Sequence, residues 1–232
     1  VIVLVDNEHV TGYAKPWGER MMAARVRIKY DLEDMSGRPC LIIRWDRVTP
    51  ELLRSMGAIG VFISGNSTPA DAYAESEVAG LHAAVRTLEW PVFGFCGGHQ
   101  VVGQAFGAPL EPIGELDEGA ESFGEAADLA PGMKHELGYL PVEITRPHPL
   151  LNGLGSNPVM RHAHSWELKA VPPGFTNYAA TEVSPIQLII HDGAPIVGTQ
   201  FHPEYSTDDH PAGKHLIRNF MHWSGLVRTG QT

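Results

Sequence analysis

Cysteine is nearly absent from this chain: Cys40 and Cys96 are the only two. Two thiols cannot build a disulfide framework, and no paired Cys-x-x-Cys or helical His-Glu-x-x-His pattern accompanies them. Long apolar runs are missing too. Stretches such as VIVLV (1–5) fall far short of the ~20 residues that cross a bilayer, and no charged-then-apolar signal peptide is visible. Basic charge is scarce. Seventeen Lys and Arg stand against 27 Asp and Glu, a net charge of −10, with no basic block. That balance argues against nucleic acid or an anionic membrane as main partner. Together these features imply a reducing, cytoplasmic setting.

What is present is a core. Hydrophobic residues make up 43% of the 232, and this length suits one α/β domain spanning residues 1–232. VIVLV (1–5), CLIIRW (40–45), IGVFISG (59–65) and PVFGF (91–95) read as short buried strands, β-branched and bounded by polar or turn residues. Helical patterns lie between them. Trp17, Met21, Ala24 and Ile28 recur on one face. Ala74, Val78, Leu81, Val85 and Leu88 form a second stripe behind STPAD (67–71), whose Ser, Thr and Asp can cap and whose Pro suits a first turn. Leu216, Phe220 and Trp223, with Ile217 and Met221 alongside, mark a terminal helix. The alternation predicts parallel strands joined by right-handed crossovers, hence a three-layer α/β sandwich with a mainly parallel central sheet. From Ala108 to about Pro158 the chain is richer in Gly, Pro and acids, and GELDEGAESFGEAADLAPG (114–132) reads as a mobile, solvated acidic loop. LGYLPVEI (137–144), SPIQLII (184–190) and PIVGTQF (195–201) read as further strands, whose turn-rich spacing predicts a small antiparallel addition.

One of the two cysteines sits in an unusual place. In GFCGGHQ (94–100) an apolar strand runs into a helical pattern through a sharp bend, with Gly94 and Gly98 two residues either side of Cys96. Neighbours without a Cβ relieve the crowding of such a turn. The bend lies at the carboxyl edge of the sheet, where ligands bind in open α/β folds. A helix N-terminus favours an anion, a thiolate included, and its free N–H groups can receive the oxyanion of a tetrahedral intermediate. A small buried hydrophobe would fit the same position. The nucleophile reading also needs a base, and GTQFHPEYS (198–206) supplies one. His202 ends a β-like run, and in an extended segment Glu204 points to the same side, where it can orient the imidazole.

With these two motifs in this order, the sequence resembles the class I glutamine amidotransferases over residues 40–224, a family with a flavodoxin-like, three-layer fold. GFCGGHQ is similar to that family's G-x-C-x-G-x-Q elbow, and GTQFHPE to its histidine–glutamate signature; HELGYLPVEI and MRHAHSWELKAVPPGF resemble its connecting strands. The resemblance implies Cys96 as nucleophile, His202 as general base and acid, and Glu204 as its orienter. It implies an oxyanion hole from the N–H of Gly97 and the segment at Gly65, where Asn66 replaces the family's second glycine. Gly97 itself stands where the family usually carries a larger side chain. Substrate contacts are implied for Asn66, Gln100, Ser165 and Trp166. The implied reaction releases ammonia from the glutamine side chain through a thioester, with no metal and no organic cofactor. Nothing in 232 residues leaves room for a synthetase-like second domain, so an ammonia acceptor would be activated by a synthase on a separate chain.

Twelve histidines raise the question of metal. HAH (162–164) can place both imidazoles on one side of a strand, and His99 lies near the elbow, but a zinc site needs three or four ligands and none is expected here. His82, His215 and His222 fall in helical patterns as surface or satisfied residues, and Cys40 reads as a packed small side chain. Three functions remain open: a glutamine amidotransferase or glutaminase; a hydrolase of the same fold acting on another γ-glutamyl amide; and a non-catalytic binding module.

Overall fold

Five consecutive buried residues form the first strand, β1 (Ile2–Asp6), and their alternation sets the layering. Ile2 and Leu4 belong to one core cluster, Val3 and Val5 to another. A strand buried on both faces needs a sheet covered on both sides. The computed structural model describes residues 1–122, 127–128 and 130–227. The strands after β1 are β2 (Cys40–Arg44), β3 (Gly60–Ile63), β4 (Val92–Phe95), β5 (Leu110–Pro112) and β6 (Glu136–Pro141), then β7 (Glu143–Ile144) and β8 (Val159–His164). The chain continues through β9 (Trp166–Leu168), β10 (Phe175–Ala180), β11 (Leu188–His191) and β12 (Ile196–Thr199). Eight of these make the main sheet, in the order β2-β1-β3-β4-β12-β11-β10-β7. The β2-to-β12 half is parallel and the β11-β10-β7 half antiparallel. Two small antiparallel pairs, β5–β9 and β6–β8, stand apart from it.

Helices cover both faces. On one lie α2 (Gly18–Ser36), with Ile28 and Leu32, and α6 (Ala212–Trp223), with Leu216 and Phe220, packed on Ile2, Leu4, Phe62 and Phe93. On the other lie α3 (Pro50–Ser55), α4 (Glu75–Arg86) and α5 (Gly97–Ala105), burying Leu53, Leu81, Val85 and Val102 against Val3, Val5 and Ile63. A short helix, α1 (Val10–Tyr13), follows β1. The mainly parallel three-layer sandwich expected from the strand–helix alternation is therefore the architecture observed.

Several local expectations need correction. β2 is an edge strand, with Leu41 43% exposed, because among the described residues no strand pairs on its outer side. In α2 the buried positions are Gly18, Arg25, Ile28, Leu32 and Ser36, whereas Met21 and Ala24, with Trp17 just before the helix, are half-buried along a cavity. STPAD does not cap α4; Ala70–Ala72 forms a separate 3₁₀ turn and Ala74 precedes the helix without a side-chain cap. Leu88, beyond that helix, is exposed with φ 58°. LGYLPVEI splits into β6 and β7 in different sheets; beyond Pro141 the Val142 N–H still donates to the Pro158 carbonyl at 3.0 Å, but Pro158 has no N–H to return the bond. SPIQLII contributes only its second half to β11. In the acidic segment 114–132, residues 123–126 and 129 lie outside the described residues. Its flanks are tied together by Leu116 N–H donating to the Gly132 carbonyl (3.1 Å) and by pairing of Glu115 with Met133.

The phenyl rings of Phe62, Phe93 and Phe220 meet between sheet and α6, with Phe220 centroids 4.8 Å from Phe93 and 5.7 Å from Phe62. Phe220→Ala is expected to lower stability by about 3–5 kcal/mol in urea unfolding, while Met22→Ala, at a position 49% exposed, should change it by less than about 0.5 kcal/mol. Equal effects from the two would contradict this placement of the core.

Candidate active site

The strand register decides which residues meet. β4 and β12 are parallel neighbours with Phe95 opposite Thr199, so Cys96 and Gln200 leave the sheet side by side at its carboxyl edge. β3 ends next to β4, which brings residues 64–68 to the same edge. Cys96 directly precedes α5 and has φ 48° and ψ −104°, a left-handed backbone that costs a residue with a Cβ about 1–3 kcal/mol. Its N–H donates to the Thr199 carbonyl at 2.7 Å, which pins the bend to β12. No side chain fits beside it. A Cβ on Gly94 would lie 2.3 Å from the Gly98 carbonyl oxygen, and one on Gly98 2.2 Å from that of Ile63.

His202 follows β12 and is anchored by its own N–H to the Arg161 carbonyl, 2.7 Å away on β8. Its Nδ1 lies 2.7 Å from Glu204 Oε1, in a pair that is almost wholly buried. The contact arises differently from the extended segment expected. Pro203 starts a 3₁₀ turn over Pro203–Tyr205, and that turn folds the carboxylate back to the ring. Burial pulls the His202 pKa down. The charge of the Cys96 thiolate and that of Glu204, with hydrogen bonds to both, more than offset it, and the imidazole is held well above 6.5. Cys96, only 3% exposed, still lines a cavity of about 980 Å³ together with His202.

The 64–68 loop closes over the elbow. A Cβ on Gly65 would fall 2.6 Å from His202 Cε1 and 3.3 Å from the Cys96 Cβ. A Cβ on Gly97 would fall 1.7 Å from Asn66 Oδ1 and 3.1 Å from the Asn66 backbone nitrogen. The Asn66 carboxamide therefore fills the space that a larger residue at 97 would need, so the two departures from the family pattern explain each other. Among the described residues, neither the Asn66 nor the Gly97 N–H donates to a protein acceptor. The loop is held from β1. Arg25, paired with Asp6 at 2.9 Å, donates to the Gly65 carbonyl at 2.7 Å, and Glu8 accepts from Ser67 N–H and Thr68 Oγ1 at 2.6 Å each.

Gln100, Ser165 and Trp166 all line the cavity, and Gln100 Nε2 donates to the Trp166 carbonyl at 3.2 Å and to Gln200 Oε1 at 3.3 Å. All nine residues singled out from the sequence thus come to one edge of the sheet. Sequence reasoning missed Arg25, Asp6, Glu8 and Gln200. Only Gln200 carried a signal, lying inside GTQFHPE. Of the remaining histidines, His99 is fully buried, and burial pushes its pKa down to about 3. His215 and His222 are exposed on α6. Cys40 is packed in the core, where burial pushes its thiol up to about 11. A sulfur, an imidazole and a carboxylate in sequence, beside free backbone N–H groups, can carry out acyl transfer.

A sequence profile of the glutamine amidotransferase class-I family matches residues 33–223. The chain is 32% identical over 191 residues to a glutamine-hydrolyzing GMP synthase of Phenylobacterium zucineum, covering 81% of this chain and 32% of that protein. It is 30% identical over 135 residues to one subunit of the glutamine-hydrolyzing GMP synthase of Thermococcus kodakarensis, covering 58% of this chain and 61% of the relative. This chain thus spans less than two thirds of the length of either relative. Among solved structures, one from Thermoplasma acidophilum, provisionally described as a GMP synthase subunit, superposes with a TM-score of 0.70 at 22% identity, covering 97% of this chain and 92% of the other. A glutamine amidotransferase from Thermotoga maritima gives 0.60 at 14% identity, covering 95% and 96%. At these identities the structures show a shared fold. The profile match, running from within α2 to the end of α6, means that this chain belongs to the glutamine amidotransferase class-I family.

Proposed function

We propose that the protein hydrolyses the side-chain amide of glutamine with Cys96 as nucleophile. The observation that carries this reading is the strained Cys96 at the head of α5, with the Glu204-bound ring of His202 beside it on the neighbouring strand end. The Cys96 thiolate adds to the amide carbon, and the oxygen takes the charge among the N–H groups of Gly97 and the Gly65–Asn66 segment. Protonated His202 gives its proton to the departing nitrogen, so ammonia leaves and a γ-glutamyl thioester remains. Neutral His202 then takes a proton from water, the hydroxide adds to the thioester, and glutamate leaves as the thiolate is restored. Glu204 holds the ring through Nδ1, so that Nε2 faces the reaction. Gln100, Ser165 and Trp166 form the wall against which the amino-acid end of the substrate rests.

By likeness to the Thermococcus kodakarensis subunit, the ammonia passes to a synthase subunit. A second reading is favoured by the cavity and by Asn66. A volume of about 980 Å³ exceeds what glutamine needs, and Trp17, Met21 and Met133 give it an apolar wall. Such a wall suits a γ-glutamyl amide with a bulkier amine, with water as final acceptor. Steady ammonia release from glutamine supports the first reading, and turnover confined to other γ-glutamyl amides supports the second.

A glutamine-analogue electrophile should label Cys96 stoichiometrically, and Cys96→Ala should abolish labelling; label elsewhere, or none with any γ-glutamyl compound, would leave the binding-module reading. Ring NMR titration should find His202 still protonated above pH 6.5, with its midpoint lowered in Glu204→Gln because the carboxylate charge is lost. Because its folded pKa is raised, its contribution to stability is complete below about pH 6.5 and is lost as pH rises through the folded value. A wild-type midpoint at or below 6.5 contradicts the ion pair. Gly97→Ala, which drives a methyl into Asn66, should lower kcat/KM by up to about 100-fold, and adding Asn66→Gly should recover most of the loss. Additive losses in that cycle would show that the two positions do not compensate.

A further inference from the structure

Behind the cysteine, β8 carries a cluster that the reaction above does not use. His162 and His164 are two apart on the strand and project to one side. The antiparallel register with β6 sets Glu136 opposite His164, on that same side. Ligand atoms of all three lie within 4.8 Å of one another, and all three side chains are buried. Hydrogen positions expose a conflict. His164 Nδ1 faces the Trp166 carbonyl at 3.1 Å, an acceptor only, so Nδ1 carries the hydrogen. Nε2 then presents a lone pair to Glu136 Oε2 at 2.9 Å. Two lone pairs at that distance require a positive charge between them.

A proton on His164 would serve that pair, but it would leave His162 stranded. His162 is 0% exposed; its Nδ1 lies 3.6 Å from Glu136 Oε2, beyond hydrogen-bond range, and among the described residues neither ring nitrogen has a hydrogen-bond partner. Gln187, whose Nε2 donates to Glu136 Oε2 at 2.6 Å, likewise has a buried Oε1 with no partner. A single cation at the centre answers the His164–Glu136 contact and gives His162 Nδ1 a partner.

We propose that Glu136, His162 and His164 bind a divalent transition-metal ion of the zinc class. Two imidazoles and a carboxylate are a donor set that suits such an ion. Bonds of 2.0–2.1 Å in a tetrahedron put ligand atoms about 3.3 Å apart; the two separations from Glu136, 2.9 and 3.6 Å, bracket that value, and the two imidazole nitrogens lie within 4.8 Å of each other. The His164 Nδ1–H on the Trp166 carbonyl is the outer-shell contact that fixes a metal-binding tautomer. Water, or Gln187 Oε1 after the carboxamide turns over, completes the set. Glu136 and His164 line the large cavity, which gives the ion its way in. The consequence is mechanical: β8 also supplies the Ala163 carbonyl 3.8 Å from Cys96 Sγ and the Arg161 carbonyl that anchors His202, so the ion braces that strand. This site does not depend on the amide-hydrolysis reading.

The test uses the full chain carrying Cys96→Ala, which removes the thiol from the neighbouring site. Metal-stripped protein incubated with zinc and gel-filtered should retain about one ion per chain. Adding His162→Ala, or separately Glu136→Gln, should weaken retention at least about 100-fold. Cobalt(II) in the Cys96→Ala protein should give the visible bands of a four-coordinate nitrogen and oxygen site, without thiolate charge transfer and without any reliance on a second substitution. Absence of zinc retention and of the cobalt bands overturns the proposal and leaves a protonated His164–Glu136 pair. Retention unchanged in both added variants overturns it too.

Discussion

The pairing of β4 with β12 is the constraint on which the candidate site rests. With Phe95 opposite Thr199, the chain leaves two adjacent strands at one edge, one exit carrying Cys96 and the other Gln200 and His202. The Cys96 N–H bonded to the Thr199 carbonyl makes the elbow a continuation of that pairing. This tie, and the burial of Phe95 beside Phe62 and Phe93, offset the cost of a left-handed cysteine. A slip of one residue between these strands would turn every side chain to the other face and separate the sulfur from the imidazole.

Around that pairing, the site is built from short reach and enclosed charge. Glu204 arrives through a proline-initiated turn, and the 64–68 loop is drawn down by an arginine whose partner, Asp6, ends β1. Charges buried this deeply are tolerable only when paired and hydrogen-bonded, and here Arg25 has Asp6, and Glu204 has His202. The Asn66 and Gly97 pair is a steric exchange: one carries the side chain that the other lacks, and the loop still approaches the elbow. Among the described residues, the Asn66 and Gly97 N–H groups have no protein acceptor.

Much of this was legible in the sequence because it is local. Short continuous apolar runs bounded by polar or turn residues placed β1, β3 and β4, and the spacing of Leu216, Phe220 and Trp223 placed α6. The glycine ring around Cys96 announced a turn with no space for side chains, and the order of the two motifs put both at the sheet edge. What was not legible depends on partners distant in the chain. β2 reads as buried from its residues, yet its exposure is set by its place at the end of the sheet order, with no outer neighbour among the described residues. Arg25 is a charged residue inside a helix read from its apolar stripe, and only the fold reveals that it reaches Gly65. Likewise HAH offers two histidines, and the third ligand-type residue, Glu136, appears only through the β6–β8 register.

The central claim is that the sulfur of Cys96, activated by His202, forms a covalent bond with a γ-glutamyl group. Rapid acid quench of the protein with glutamine or another γ-glutamyl amide, followed by peptide mass spectrometry, tests it most directly. The account predicts a γ-glutamyl adduct on the peptide bearing Cys96 that decays in wild type and fails to form in His202→Asn. Amide turnover with no adduct at Cys96, or an adduct that forms equally well without the imidazole, would contradict it.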